Sequence, residues 1–294
     1  MQVRLIGEKR EQQLWASGIS AWKDLLPNID RVDMPARVIE QLKRGIAESA
    51  ERLDAKDYLY FANRLRHKHL YRVYPYLADR TLYIDIETTG GRGGAPATIT
   101  LIGCFDGTTA RVFIAGRDLY EFRRYIEAYD LVVTFNGTSF DIPSIEKALR
   151  FTVRQPHIDL RVELTALGIT DGLKKLEKVI GIERPSGIDE LNGFSAVLLW
   201  ERYKRKKDQA ALDTLIHYNL TDAVSLEALM RYTYNKRMER YGFNEYCIPE
   251  KPVPGIDHPY SPAVVEQVLV VTRRVTGKKT KKPPDPGASE EKAN

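Results

Sequence analysis

Residues 81–88 read TLYIDIET. Apolar and polar residues alternate, and the apolar ones are mostly β-formers, so the segment is predicted to be a strand. Asp85 and Glu87 stand two apart, which sends both side chains out of the same face. Two carboxylates crowded on one strand face repel each other and lose water. That arrangement is costly unless a positive partner compensates it. A Lys or Arg could serve, and so could a metal cation.

Outward from this strand the chain has a regular grammar. ATITLIGCF (97–105) and ARVFIAG (110–116) read as two further strands, joined by a turn at Asp106-Gly107. RDLYEFRRYIEAY (117–129) has helical periodicity. LVVTF (131–135) is a short buried strand ended by Asn136-Gly137, and FDIPSIEKALR (140–150) begins a helix with Pro143 in its first turn. A short apolar piece, HIDLRVEL (157–164), comes next. Helices are then expected at 172–181, at 194–205 and from about Asp208 to Arg237. The order is three strands, helix, strand, helix, short strand, then helices. It predicts an α/β domain in which a three-strand meander meets parallel strands.

The flanks differ. Residues 1–71 form a helical N-terminal region. IDRVDMPARVIEQLKRGIAESAERL (29–53) has apolar residues at helical spacing, with Asp33 placed to cap a helix carrying Pro35 in its first turn. LIGEKREQQLWASGISAWKDLL (5–26) has a Gly-hinged helix–turn–helix look. A small packing hairpin is the preferred reading, and a helix–hairpin–helix start that grips phosphates is the alternative. Residues 72–237 form the α/β domain. Residues 238–294 read as a proline-containing extension, and RRVTGKKTKKPPDPGASEEKAN (273–294) has the composition of a disordered basic tail.

Composition narrows the chemistry. Over 294 residues, 45 Lys and Arg face 40 acids, a net charge of +5, which permits a polyanionic partner without demanding one. Cys104 and Cys247 show no metal-binding spacing, and no Cys/His cluster accompanies them, so a zinc site or disulfide framework is not expected. No apolar run reaches membrane-spanning length and the N-terminus lacks the apolar core of a signal peptide, so a cytoplasmic protein with no membrane partner is expected.

Two other segments supply acids in a distinctive setting. In VVTFNGTSFDIPSI (132–145), Asn136, Phe140 and Asp141 follow a buried strand, the place where α/β sheets form their sites. Asp141 alone would pass for a helix cap. In HYNLTDAVSLEAL (217–229), Tyr218 and Asp222 are four apart on one helix face. Each pattern singly has a bland explanation. Their order is what carries information: D-x-E, then N-x-x-x-F-D, then Y-x-x-x-D. With these motifs the chain resembles the DEDD (DnaQ-like) superfamily of 3′–5′ exonucleases, tyrosine subclass, and looks most like the RNase H-like exonuclease domain of YprB-type bacterial proteins. The likeness extends through 158–182 and 194–203 and covers roughly residues 72–235.

The resemblance implies an RNase H-like fold, a mixed five-stranded sheet flanked by helices. It implies two divalent cations, Mg²⁺ or Mn²⁺, about 3.5–4 Å apart in such sites. Hard cations of this kind prefer carboxylate oxygens, which agrees with four acids and no Cys/His cluster. Asp85 would bridge the two, Glu87 and Asp222 would complete the water-activating one, and Asp141 would hold the other through water. Tyr218 would orient the attacking water. His217 stands five before Asp222, the spacing of the histidine subclass. On a regular helix it lies about 140° from Asp222, against about 40° for Tyr218, so the role falls to Tyr218 and His217 is expected to be a partly exposed helix residue. The implied partner is nucleic acid at a 3′ end, with single-stranded DNA favoured. Thr88, Thr89, Gly90, Asn136 and Phe140 are the candidate substrate contacts. Arg92 in the glycine-rich loop, the run Arg202, Lys204, Arg205, Lys206 and Lys207, and the tail from Arg273 to Lys282 could add phosphate contacts.

Overall fold

A computed structural model describes Val3, residues 5–91 and residues 96–276 of the chain. Among these residues five strands form one sheet: β1 (Thr81–Thr88), β2 (Ile99–Phe105), β3 (Ala110–Ile114), β4 (Leu131–Thr134) and β5 (His157–Asp159). Their order is β3-β2-β1-β4-β5, with β2 antiparallel to β1 and to β3. β4 runs parallel to β1, and β5 runs parallel to β4. The mixed five-stranded sheet expected from the sequence is therefore present, with β1 at its centre.

The helices are α1 (Glu8–Ala16), α2 (Ala36–Asp54), α3 (Tyr58–Arg64), α4 (Tyr74–Leu77), α5 (Phe122–Tyr125), α6 (Asp141–Leu149), α7 (Leu160–Ala166), α8 (Leu173–Val179), α9 (Gly193–Lys206), α10 (Gln209–Tyr241) and α11 (Pro262–Thr276). The alternation of β1 sorts its side chains. Leu82, Ile84 and Ile86 point into a core closed by Phe122 and Ile126 on one side and by Ile145 and Leu149 of α6. Tyr83, Asp85 and Glu87 leave the opposite face, where α10 crosses β1 and β2. α10 begins at Asp208, whose carboxylate accepts from the Ala211 amide at 3.3 Å. It ends at Gly242, which takes the left-handed conformation, φ 75°, that suits glycine. Sheet, α9 and α11 surround it, so most of its circumference is buried.

Several expectations are corrected. Pro35, with an extended backbone, is itself the N-cap of α2, and no side chain caps that end. Asp33 lies two residues further out, beyond the position from which a carboxylate caps. After α1 and Gly18 (φ 78°) the chain makes 3-10 turns at Trp22–Asp24 and Leu26–Arg31 in place of a second α-helix. The helix expected at 117–129 is α5 with a 3-10 turn on each side, Leu119–Glu121 and Ile126–Ala128. The largest difference is α11. Val264, Val265, Val268 and Leu269 form one apolar stripe, buried in the same cluster as Leu199 of α9 and Leu215 of α10. Arg273 and Arg274, read as the start of a disordered tail, belong to its last turn, and Arg273 pairs with Glu190 at 2.5 Å. Residues 277–294, and with them the rest of the basic tail, lie outside the described residues, as does Arg92.

Candidate metal centre

The fold brings the acids of β1 and α10 together. One carboxylate oxygen from each of Asp85, Glu87 and Asp222 lies within 4.8 Å of the others. Glu87 stands at a β-bulge between Glu87 and Thr88, which breaks the ladder register beside Leu101 and Ile99 and marks the end of regular pairing. Asp141 arrives from the sheet's other parallel connection. It is the first residue of α6, directly after the turn that ends β4, and Phe140 rather than Asp141 is the N-cap. It lies outside the 4.8 Å group, but its charge acts on both Asp85 and Glu87. The backbone of Asp141 itself and of Ile86 in β1 favours its charged form.

Electrostatics follow from this crowding. Loss of solvent raises Asp85 well above the usual carboxylate range, and the nearby charges of Asp222, Glu87 and Asp141 push it the same way. Glu87 is raised for the same reasons, with burial first, then Asp222 and Asp141. Burial lifts Asp141 to about 7 against the pull of these backbone groups. Four carboxylates with this much mutual cost are suited to a divalent cation, whose charge would reverse every one of these penalties. The donor set is oxygen only, which fits Mg²⁺ or Mn²⁺.

The supporting side chains were not legible as site residues. Asn219, fully buried, donates from Nδ2 to the carboxylate of Asp85 at 2.8 Å and to its backbone carbonyl at 3.1 Å. It fits because its neighbour across the sheet is Gly103, the β2 partner of Asp85. A Cβ at Gly103 would collide with the Asn219 amide. A buried Asn in mid-helix is the signal that could have found it, since Asn competes with the helix backbone and is disfavoured there. Asp159, at the end of β5, accepts from the amides of Asn136 at 2.8 Å and Thr138 at 2.9 Å, and caps α7 through Arg161 at 3.1 Å. One carboxylate thus holds the turn that delivers Asp141. In the loop after α8, Arg184 contacts Asp222 and Glu177, while Lys174 of α8 donates to the carbonyls of Asp189 and Leu191. Burial lowers the Lys174 ammonium to about 8 despite the neighbouring Asp222 charge.

The remaining expected residues sort as follows. Tyr218 is buried beside the acids, with the Lys174 ammonium 5.1 Å from its ring centre. Burial and then the charges of Asp222, Glu87 and Asp85 raise its phenol well above 10, so it carries its proton at neutral pH. His217 faces away: its Nδ1 meets the carbonyl oxygen of His258 at 2.7 Å and its ring lies 4.7 Å from that of Tyr260. It is 4% exposed, so the expectation of a partly exposed residue fails. The reason is the returning segment that ends in α11, which covers this side of α10. Asn136 adopts the left-handed conformation, φ 69°, as its Asn-Gly turn requires, and Phe140 is exposed. Thr89 pairs with the Thr98 carbonyl at 2.9 Å, and Gly90 (φ 66°) packs close to Val197. Arg202 is engaged with Asp208 at 2.5 Å and Gln267 at 2.6 Å, which removes it from an open phosphate rim.

With this fold and acidic cluster in view, comparison with known proteins identifies the class. A profile of the RNase_H superfamily matches residues 82–234, more than half of the chain, and the chain belongs to that superfamily. It is similar to the uncharacterized protein YprB of Bacillus subtilis (strain 168), 24% identical over an alignment of 177 residues, which covers 52% of this chain and 42% of YprB. It is also similar in structure to the family B DNA polymerase of the hyperthermophilic archaeon Pyrobaculum calidifontis, with a TM-score of 0.42 and 18% identity over 70% of this chain and 31% of the polymerase. The chain therefore spans less than half the length of either protein. No helix among the described residues is long and apolar enough to cross a membrane.

Proposed function

We propose that the chain is a metal-dependent nuclease acting as a 3′–5′ exonuclease, with single-stranded DNA as the favoured substrate. The observation that carries this reading is the convergence of acids from three distant segments, with Asp85, Glu87 and Asp222 inside 4.8 Å and Asp141 alongside. A nucleic-acid-binding module on an inactivated version of the fold would be expected to have lost an acid, and all four are present. Asp85, Glu87, Asp141 and Asp222 would hold two divalent cations, Mg²⁺ or Mn²⁺. When bound, such ions supply a hydroxide at neutral pH and neutralise the charge that develops on the phosphate. The protein's own part is to hold the geometry. Asn219 fixes the Asp85 carboxylate, Asp159 fixes the turn before Asp141, and Tyr218, protonated and buried, is placed to orient a water by hydrogen bonding rather than to take its proton. Thr88, Thr89, Gly90, Asn136 and Phe140 remain the candidate contacts to a terminal nucleotide, and exposed Phe140 can stack on a base.

Digestion of end-labelled single-stranded DNA, duplex DNA and single-stranded RNA tests this. The expected result is stepwise shortening from the 3′ end of single-stranded DNA, lost in EDTA and restored by Mg²⁺ or Mn²⁺. Full activity in chelator defeats the metal role. Internal cuts would make the chain an endonuclease, and preferential RNA shortening an exoribonuclease.

A further inference from the structure

Among the described residues Arg184 is hydrogen-bonded to Asp222 of the acidic cluster, and its bonding is asymmetric. Its side chain is 3% exposed. Nε donates to Glu177 Oε2 at 2.6 Å and Nη2 to Glu177 Oε1 at 2.5 Å. Nη2 also donates to Asp222 Oδ1, whereas Nη1 is buried without an acceptor among the described residues. A guanidinium holds its five N–H bonds in one plane. Glu177, itself 1% exposed, fills the edge formed by Nε and Nη2. Asp222 meets the end of the fork, where Nη1 and Nη2 present parallel N–H bonds that could clasp both carboxylate oxygens. It is held by one oxygen only. Lys174 does not duplicate this contact, because its ammonium is tied to the carbonyls of Asp189 and Leu191.

We propose that Arg184 is a positioning residue and resident counter-charge of the carboxylate centre: clamped by Glu177, it fixes Asp222 through one oxygen and opposes an entering divalent cation for that carboxylate. The inference rests on the cluster being a cation site, as argued above. It has a consequence that ordinary structural support lacks. A guanidinium beside the site repels a cation and must share Asp222 with it, so its presence weakens cation binding while keeping the ligand in register.

The test is Mn²⁺ binding by isothermal titration calorimetry at mildly alkaline pH, alongside turnover on labelled single-stranded DNA and melting curves. Removing Arg184 alone would strand the buried Glu177 charge, so the informative protein is the double variant Glu177→Gln/Arg184→Gln. The paired loss leaves the net charge unchanged, so any gain comes from freeing the Asp222 oxygen: the variant is expected to bind Mn²⁺ about tenfold more tightly and to turn over about tenfold more slowly, a loss of activity usual when a support around a metal site is removed. Arg184→Lys keeps the charge and loses the fork. It should bind Mn²⁺ close to wild type yet remain slow. Unchanged or weaker Mn²⁺ binding by a folded double variant overturns the proposal. If the double variant does not fold, a normal turnover number in Arg184→Lys overturns it instead. Failure of the wild type to bind Mn²⁺ sinks both this inference and the cation-site reading, whereas wild-type binding with no gain in the variant sinks the clamp alone.

Discussion

Replacing Asp85 by Asn should make the metal-free protein more stable while abolishing its response to metal. In the wild type, Asp85 lies within 4.8 Å of carboxylate oxygens on Glu87 and Asp222. Two unit charges at that distance repel by roughly 3–4 kcal/mol at an effective dielectric constant near 20. Two such pairs set a ceiling of about 7 kcal/mol. Burial first, and this repulsion second, raise Asp85 and Glu87, so the carboxyls avoid most of it by binding protons. A net gain of about 2 kcal/mol is therefore expected at neutral pH, and a chain of this size should melt about 4 °C higher. The amide introduced by Asp85→Asn keeps a side-chain oxygen that can accept from Asn219, so the local hydrogen bond survives. The sign with pH is fixed. A carboxyl whose folded-state value is raised contributes stability at low pH and loses it as pH rises through that value. The advantage of Asp85→Asn should thus grow from acid to alkaline pH in EDTA. Adding Mn²⁺ should reverse the ranking, because the cation stabilises only a site that can hold it. Scanning fluorimetry of both proteins, with EDTA or Mn²⁺, decides this. A metal-free Asp85→Asn protein that melts several degrees below wild type, or one that gains as much from Mn²⁺, refutes the reasoning.

Tyr218→Phe should leave the fold and Mn²⁺ binding intact and lower turnover by about 10²-fold, as for an orienting group; His217→Ala should lower the melting temperature through its lost bond to His258 yet keep near-normal turnover per folded molecule, and the opposite pattern would move the role to His217. Burial holds the His157 imidazole down at about 4, so stability should fall as pH drops from about 6.5 towards 4, by no more than about 3 kcal/mol, and His157→Gln, which can still hydrogen-bond Thr134, should flatten that limb of a urea-denaturation series. Truncation before Pro262 should destabilise the protein by several kcal/mol, because Val264, Val265, Val268 and Leu269 each bury an apolar side chain; a chemical-denaturation midpoint equal to wild type would show that α11 is dispensable.

The readable parts of this molecule share a physical cause. β1 was legible because its period-2 pattern and its paired acids are local properties of eight residues. α10 was legible through its helical spacing, and the same spacing separated Tyr218 from His217. What escaped were facts that depend on distant segments meeting. Arg184 looks like any loop arginine until Asp222, 38 residues later, is folded against it. Asp159 reads as a strand-end acid that caps the next helix through Arg161, and only the approach of the Asn136 turn gives it two further amides to hold. α11 is not legible in the sequence because prolines before it and lysines after it dominate the composition, masking a four-residue apolar stripe that matters only beside α9 and α10.

The missing side chain at Gly103 has a consequence for how sequences of this kind can change. Gly103 and Asn219 are far apart in the chain, yet they share one small volume beside Asp85. Neither can vary freely. A side chain at 103 evicts the amide that steadies Asp85, and a larger residue at 219 has nowhere to go. The two positions should therefore be inherited as a pair, with any alanine or serine at 103 accompanied by a shortened residue at 219. The same holds for anyone rebuilding the site. Gly103→Ala in an Asn219→Ala background should cost much less than Gly103→Ala alone, and the difference measures how strongly the strand and the helix constrain each other's descent.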